Sequence, residues 1–311
     1  MVNWFGNGED YCLDLYKNTV PSIVVVDSRW DALIPKMKFW GFNSLRCSFG
    51  MPNGLNYPHT PLDLDMLEHV IAKMYANEIR VILDSHSHTV GTFGSATWHD
   101  TWLAIVDRFK NDPRILAWEL QNEPGPSSSD PSIVTPEQCV STYIDLLNEI
   151  RATGDTHPIV LQMGVSFPSP TWTDANYDAK PVETRPSIVI SEHFWTYGNP
   201  TVAQATAQMT SRFNKLRGYR AKGFDTWNGE CGIHEEAVGG GTIDVEKASE
   251  LYIVNQSLLE NCGFNIWLYG YYSIWQPSHD EVLSASNYAR RRFIFSHWQD
   301  GDTSPIKQVI V

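Results

Sequence analysis

The chain has 311 residues, a formal charge of -13 and no basic tract, so it offers no grip on phosphate backbones or anionic lipid, both of which need clustered Lys and Arg. Hydrophobic content of 42% beside 19% charged residues suits a folded domain with a large core and excludes a disordered chain. No apolar run approaches the ~18 residues of a spanning helix, and the opening "MVNWFGNGED" lacks the basic-then-apolar pattern of a leader. Neither nucleic acid nor a membrane is therefore expected as a partner.

Short β-rich runs alternate with amphipathic stretches along the whole chain. Strands are expected at 2–6, 43–49, 79–85, 115–122, 158–163, 187–194, 225–230 and 264–270. Between them the apolar spacing and the Asp, Thr, Ser or Pro openings predict helices at 30–40, 62–77, 97–110, 136–152, 201–222, 244–261 and 284–298. In the helix at 136–152, Val140, Tyr143, Ile144, Leu147 and Ile150 fall on one stripe, and Gly154 closes it. The Pro-rich segment 171–186 predicts an irregular crossover. Eight strand–helix units imply parallel pairing, and without a Gly-rich nucleotide fingerprint they favour an α/β fold closed as a single-domain (β/α)8 TIM barrel over residues 1–311.

Cys12, Cys47, Cys139, Cys231 and Cys262 show no C-x-x-C spacing, so they are read as small apolar residues and not as a zinc or redox motif. The 12 tryptophans are unusual. Half are expected in the core, and the rest in loops, where flat sugar faces could stack on indole rings.

Chemistry in such barrels sits where the strands end. The polar residues there are Arg46, His86, His88, Asn122, Glu123, His193 and Glu230, with Trp267 inside the last strand. Each alone has a structural reading, Arg46 for instance as the balance for a buried carboxylate. Converging on one rim, two carboxylates suit glycoside hydrolysis, in which one protonates the leaving oxygen and the other attacks the anomeric carbon or activates water. Strands four and seven of eight lie roughly 14 Å apart across a barrel, which leaves about 6–7 Å between inward-reaching carboxyl groups, between the retaining and inverting separations. Glu119, one pleat deeper than Glu123, belongs to a buried polar network.

"VNWFG" at the start, "GFNSLR" (41–46), "VILDSH" (81–86), "WELQNEP" (118–124), "SEHFW" (191–195), "WNGECG" (227–232) and "FNIW" (264–267) together resemble glycoside hydrolase family 5, a family of retaining (β/α)8 enzymes. The resemblance spans nearly the whole chain. It implies that Glu123 is the general acid/base and Glu230 the nucleophile, with a covalent glycosyl-enzyme intermediate and retention. It also implies that Asn122 bonds the sugar 2-hydroxyl, that Arg46 keeps Glu230 ionised and oriented, that His86 and His193 hold substrate hydroxyls and the carboxylate network, and that Trp267 floors the subsite of the reacting sugar. Glu123 would need its pKa raised by burial and by its anionic neighbour. Where the family has His-x-Tyr, this chain has "HFWTYG". Either Trp195, whose indole only donates, or Tyr197, folding back, would then meet the nucleophile.

The expected activity is endo-hydrolysis of a β-1,4-glucan such as cellulose, with β-1,4-mannan the runner-up. Trp98, Trp172, Trp195 and Trp275 near strand ends suggest subsites along an open cleft. The partner is then a polysaccharide or oligosaccharide, with no cofactor and no metal, and the protein is expected to be monomeric and, by family and substrate, extracellular. Two other classes of protein share some of these features. A metal-dependent amidohydrolase could use His86 and His88, but that pair follows strand three and no strand-four Lys bridges metals; a non-catalytic sugar-binding barrel would leave both Glu idle.

Overall fold

Apolar runs without helical periodicity pair here as parallel strands, buried on both faces. The structure is a computed structural model that describes residues 2–4, 30, 31, 34, 35, 38, 43–49, 64–85, 93–124, 136–162, 187–196, 200–233, 266 and 267. The strands are β1 (Val2–Trp4), β2 (Ser44–Phe49), β3 (Arg80–Ser85), β4 (Ile115–Glu119), β5 (Ile159–Gln162), β6 (Ile188–Thr196), β7 (Asp225–Ile233) and β8 (Ile266–Trp267). Every expected strand is present, in the hydrogen-bonded order β7-β6-β5-β4-β3-β2-β1-β8, with all seven pairings parallel. Among the described residues the ladder does not continue from β7 to β8, although their Cα atoms approach within 8 Å. The architecture is that of a (β/α)8 barrel.

Among the described residues, continuous helices cover α1 (Leu64–Tyr75), α2 (Ala96–Phe109), α3 (Pro136–Ala152) and α4 (Val202–Ala221). Ser95 caps α2, its Oγ accepting the Trp98 N–H at 3.2 Å, and Thr201 with Gln204 forms a capping box on α4. The α3 stripe is as expected: Val140, Tyr143, Leu147 and Ile150 are buried and Ile144 packs against them. Gly154, at φ +84, supplies the left-handed residue that ends the segment. The helix expected at 30–40 is described only at its helical residues Trp30, Asp31, Ile34, Pro35 and Lys38. The helices expected at 244–261 and 284–298 and the crossover at 171–186 lie outside the described residues. No described helix is long and apolar enough to cross a membrane.

Alternation along the strands sorts the core into two parts. Leu45, Cys47, Phe49, Val81, Leu83, Trp118 and Leu161 join the helices in the outer core. Ile82, Ala117 and Val160 form a separate small apolar cluster, on the strand face that points inside the barrel. Two residues further along the same strands stand Asp84, Glu119 and Gln162, all fully buried. The interior is thus layered, apolar below and polar above, toward the carboxyl ends of the strands.

Cys47 and Cys139 are buried free thiols whose pKa values burial pushes up, as fits small apolar residues; Cys12, Cys231 and Cys262 have no described side chain.

Candidate active site

Arg46 on β2 is the cation of the polar layer, 1% exposed. Its Nε and Nη2 donate to the two oxygens of Glu119 at 2.6 and 2.8 Å. Nη2 also lies 3.0 Å from Asp84 Oδ2 and donates to Asn122 Oδ1 at 2.9 Å. One guanidinium therefore serves two buried carboxylates. Burial pushes Glu119 above the ordinary carboxylate range; Arg46 pulls against that shift and Asp84 adds to it. The buried network expected around Glu119 is present, with Asp84 as a member that the sequence reading did not single out.

The strand expected to run to residue 122 ends at Glu119, where helix side chains take over the carbonyls beyond it. Trp98 and Trp102, both on α2, donate their indole N–H groups to the Leu120 carbonyl at 3.1 and 3.0 Å. Tyr143 on α3 donates to the Gln121 carbonyl at 3.2 Å. The Asn122 N–H donates to the Ser85 carbonyl at 2.8 Å. Trp98 is fully buried, so the expectation that it lines a sugar cleft is overturned: its ring belongs to the core and its N–H fixes the loop. Trp30, Trp102 and Trp118 are core residues as well.

This turn delivers Glu123 with φ +42, a left-handed backbone that is uncommon for a residue with a Cβ. Pleat parity with Glu119 is broken there. The two carboxylates face different surroundings: the Glu119 side chain is 0% exposed and that of Glu123 23%, so Glu123 is the one a substrate could reach. Its Oε1 lies 2.7 Å from His193 Nδ1, and its backbone N–H donates to Gln162 Oε1 at 2.6 Å.

His193 stands on β6, and its Cα partner in the β6–β7 register is Glu230. The register shifts between Glu192 and His193, so that Asn228 faces Glu192, Glu230 faces His193 and Gly229 is the extra residue. A Cβ on Gly229 would meet Ser191 Oγ first and would stand 2.9 Å from His193 Nε2, both closer than packing allows. A glycine there lets the imidazole lie against β7.

Of the expected site residues, Arg46, Asn122, Glu123 and His193 are brought together. Glu230, Trp195 and Trp267 are placed only by backbone, in β7, β6 and β8; their side chains, and the whole of His86, His88, Tyr197, Trp172 and Trp275, lie outside the described residues. The contact expected between Arg46 and Glu230 involves one of these side chains. Among the described residues no cluster of His, Cys, Asp and Glu could hold a metal ion. Gln162 and Gly229 were not read from the sequence; a polar residue closing the apolar run "PIVLQM" is the one signal that could have pointed to the first.

A parallel barrel with a carboxylate–imidazole pair at the carboxyl end of its strands has the layout of an enzyme-like (β/α)8 domain. The model of the family Cellulase (glycosyl hydrolase family 5) matches residues 8–273, and the chain belongs to that family. It is 27% identical over 180 residues to an endoglucanase of Bacillus sp. (strain KSM-635), covering 53% of this chain and 18% of the relative. It is 28% identical over 117 residues to the major extracellular endoglucanase of Xanthomonas campestris pv. campestris, covering 30% of this chain and 24% of the relative. The chain thus matches a quarter or less of the length of these two relatives. In structure it is similar to a GH5-4 broad specificity endoglucanase from an uncultured bacterium, with a TM-score of 0.64, 15% identity and 90% of each chain covered. An endo-beta-1,4-glucanase from Xanthomonas axonopodis pv. citri gives a TM-score of 0.55 at 18% identity, covering 76% of this chain and 77% of that one. At these identities the structural likeness speaks for the fold.

Proposed function

We propose that the chain is a retaining endo-glycoside hydrolase that cleaves β-1,4-glucan, with Glu123 as general acid/base and Glu230 as nucleophile. The observation that carries this reading is the 2.7 Å contact of Glu123 with His193, whose register partner on β7 is Glu230: the residue that touches one proposed acid pairs by its backbone with the other. The endoglucanase relatives support the glucan substrate, and the extracellular Xanthomonas relative supports secretion.

In the first half-reaction, protonated Glu123 gives its proton to the glycosidic oxygen as the Glu230 carboxylate bonds to the anomeric carbon and the leaving sugar departs. In the second, ionised Glu123 takes a proton from water, which attacks the same carbon from the face the leaving group vacated and releases Glu230. With its proton on Nδ1, His193 donates to Glu123 Oε1 in both forms of the carboxyl, which leaves Oε2 to carry the proton that is given and taken, so the pair stays oriented through both steps. Arg46 holds the Asn122 amide by its Oδ1, which turns Nδ2 to the donor role toward the sugar 2-hydroxyl. Trp267 would floor the subsite of the reacting sugar.

Release of reducing ends should be measured on carboxymethyl-cellulose, mannan, xylan and mixed-linkage glucan, with the anomer first formed followed by NMR. Carboxymethyl-cellulose hydrolysed fastest, with β-product first and loss of activity in Glu230→Ala, is the expected result. Inertness on all four polymers, or a Glu230→Ala enzyme as fast as the parent, would overturn the reading. Loss of activity on exhaustive chelation would favour a metal-dependent hydrolase instead.

A further inference from the structure

The peptide of Glu123 is held by a side chain of the neighbouring strand. Gln162 is the last residue of β5 and is fully buried. Its Oε1 accepts the Glu123 N–H at 2.6 Å, and its main-chain carbonyl lies 3.4 Å from the Tyr143 hydroxyl, which also donates to the Gln121 carbonyl. An N–H needs an acceptor, which fixes the direction of the amide and makes Nε2 the other end. Among the described residues Nε2 has no hydrogen-bond partner. A buried amide of which only one half is satisfied is a poor filler, since Met or Leu would occupy the same volume without desolvating a donor. The acceptor is the part of the side chain that has a use.

That use follows from the backbone. At φ +42 the Glu123 N–H turns toward a side-chain oxygen. Without Oε1 the N–H loses this 2.6 Å acceptor, and the hold on the left-handed turn weakens in favour of the ordinary negative φ. Rotation toward that φ moves the Cα–Cβ bond and carries the carboxyl away from His193.

We propose that Gln162 is a positioning residue for acid/base catalysis: its side-chain oxygen locks the left-handed turn that aims Glu123 at the glycosidic oxygen. This rests on the acid/base assignment of Glu123, and the test separates the two.

The full chain is assayed as Gln162→Met, which keeps volume and loses the acceptor, as Gln162→Glu, which keeps an acceptor, and as Glu123→Ala. The probes are 2,4-dinitrophenyl β-cellobioside, whose leaving group needs no proton, and phenyl β-cellobioside, whose leaving group does. Gln162→Met is expected to lose about 10- to 100-fold in kcat/KM on the phenyl glycoside and less than about 3-fold on the dinitrophenyl one. Gln162→Glu should recover most of the phenyl rate and move the basic limb of its pH profile upward, because a second carboxylate holds the acid's proton more tightly. The ratio of the two rates does not depend on how much of a variant is folded. Equal loss on both glycosides, or no loss on the phenyl one, overturns the role of Gln162. If Glu123→Ala itself loses equally on both, the acid/base assignment fails; if Glu123→Ala discriminates and Gln162→Met does not, only the positioning role falls.

Discussion

Replacing Arg46 by Met tests whether the polar layer beneath the site is held by one cation. The substitution keeps an unbranched chain and removes the donors to Glu119, Asp84 and Asn122. Two buried carboxylates then lose their common counter-charge, and breaking such a pair costs about 3–5 kcal/mol. At about 2.1 cal/mol/K per residue, 311 residues carry an unfolding entropy of about 0.65 kcal/mol/K, so Tm should fall by about 5–8 °C.

The loss must also depend on pH. Glu119 already sits above the ordinary carboxylate range, because burial outweighs the pull of Arg46; removing Arg46 raises it further. The folded variant then binds a proton that the unfolded chain releases above about pH 4, so its stability falls with rising pH by about 1.4 kcal/mol per unit for each such proton. Relative to the parent, the deficit at pH 7 should exceed that at pH 5 by up to about 2.7 kcal/mol. Urea unfolding of both proteins at the two pH values measures it. The double variant Arg46→Met, Glu119→Gln should regain stability and flatten the dependence. A deficit below about 1 kcal/mol, or one equal at pH 5 and pH 7, would refute the account, since isolated carboxylates cannot be buried so cheaply.

Gly229→Ala should displace Ser191 Oγ and the His193 ring together, lowering kcat about 10-fold or more with little change in KM; a parent-like kcat would mean that the fit of β6 against this glycine is unimportant to the reaction. Trp98→Phe and Trp102→Phe each leave the Leu120 carbonyl one donor, whereas the pair leaves it none, so the double variant should lose about 1–3 kcal/mol beyond the sum in urea unfolding, and simple additivity would contradict the shared carbonyl. Asp155→Asn breaks the 2.6 Å contact with His157 Nδ1. Burial pushes Asp155 up, but bonds from His157, Trp118 and the Asn111 N–H outweigh it and leave its pKa lowered; burial pulls His157 down, but Asp155 and the Asp112 carbonyl leave its pKa raised. The contribution of Asp155 is present above about pH 4 and fades as pH falls through its folded value, and that of His157 is full below about pH 6.5 and fades as pH rises through its folded value. The stability lost in Asp155→Asn should therefore be greatest at about pH 5–6 and smaller at about pH 9; a larger loss at the alkaline end would reverse the assigned charge states.

The strands were legible because a parallel barrel buries both faces of each strand, so "VILDS" and "PIVLQ" read as short apolar runs that no amphipathic helix would show. The position of Glu123 at the end of the fourth run was legible for the same reason. Its conformation was not. A sequence shows that Trp98, Trp102 and Tyr143 lie near strand ends, yet an indole that donates inward to a carbonyl and one that stacks on a sugar look alike until the chain is folded. The bonds that end β4 at Glu119 join residues about 20 positions apart, beyond the reach of periodicity or local turn chemistry.

The same limit explains why Gln162 and Gly229 were missed while Asn122 and Glu123 were not. Residues that meet a substrate must recur as particular chemical types, so they stand out as polar insertions in motif-like runs. Residues that aim them need only the right oxygen, or the lack of a Cβ, at the right height. Along β3, β4 and β5 the apolar level of Ile82, Ala117 and Val160 is followed two residues on by Asp84, Glu119 and Gln162; Arg46 reaches the two carboxylates from β2 to make the charged level, and the Gln162 amide reaches the Glu123 peptide. The charged level anchors the Asn122 amide through Arg46 and the helix aromatics anchor the carbonyls before it. Loosening either support should therefore displace Glu123 and Asn122 together, because they share one short turn.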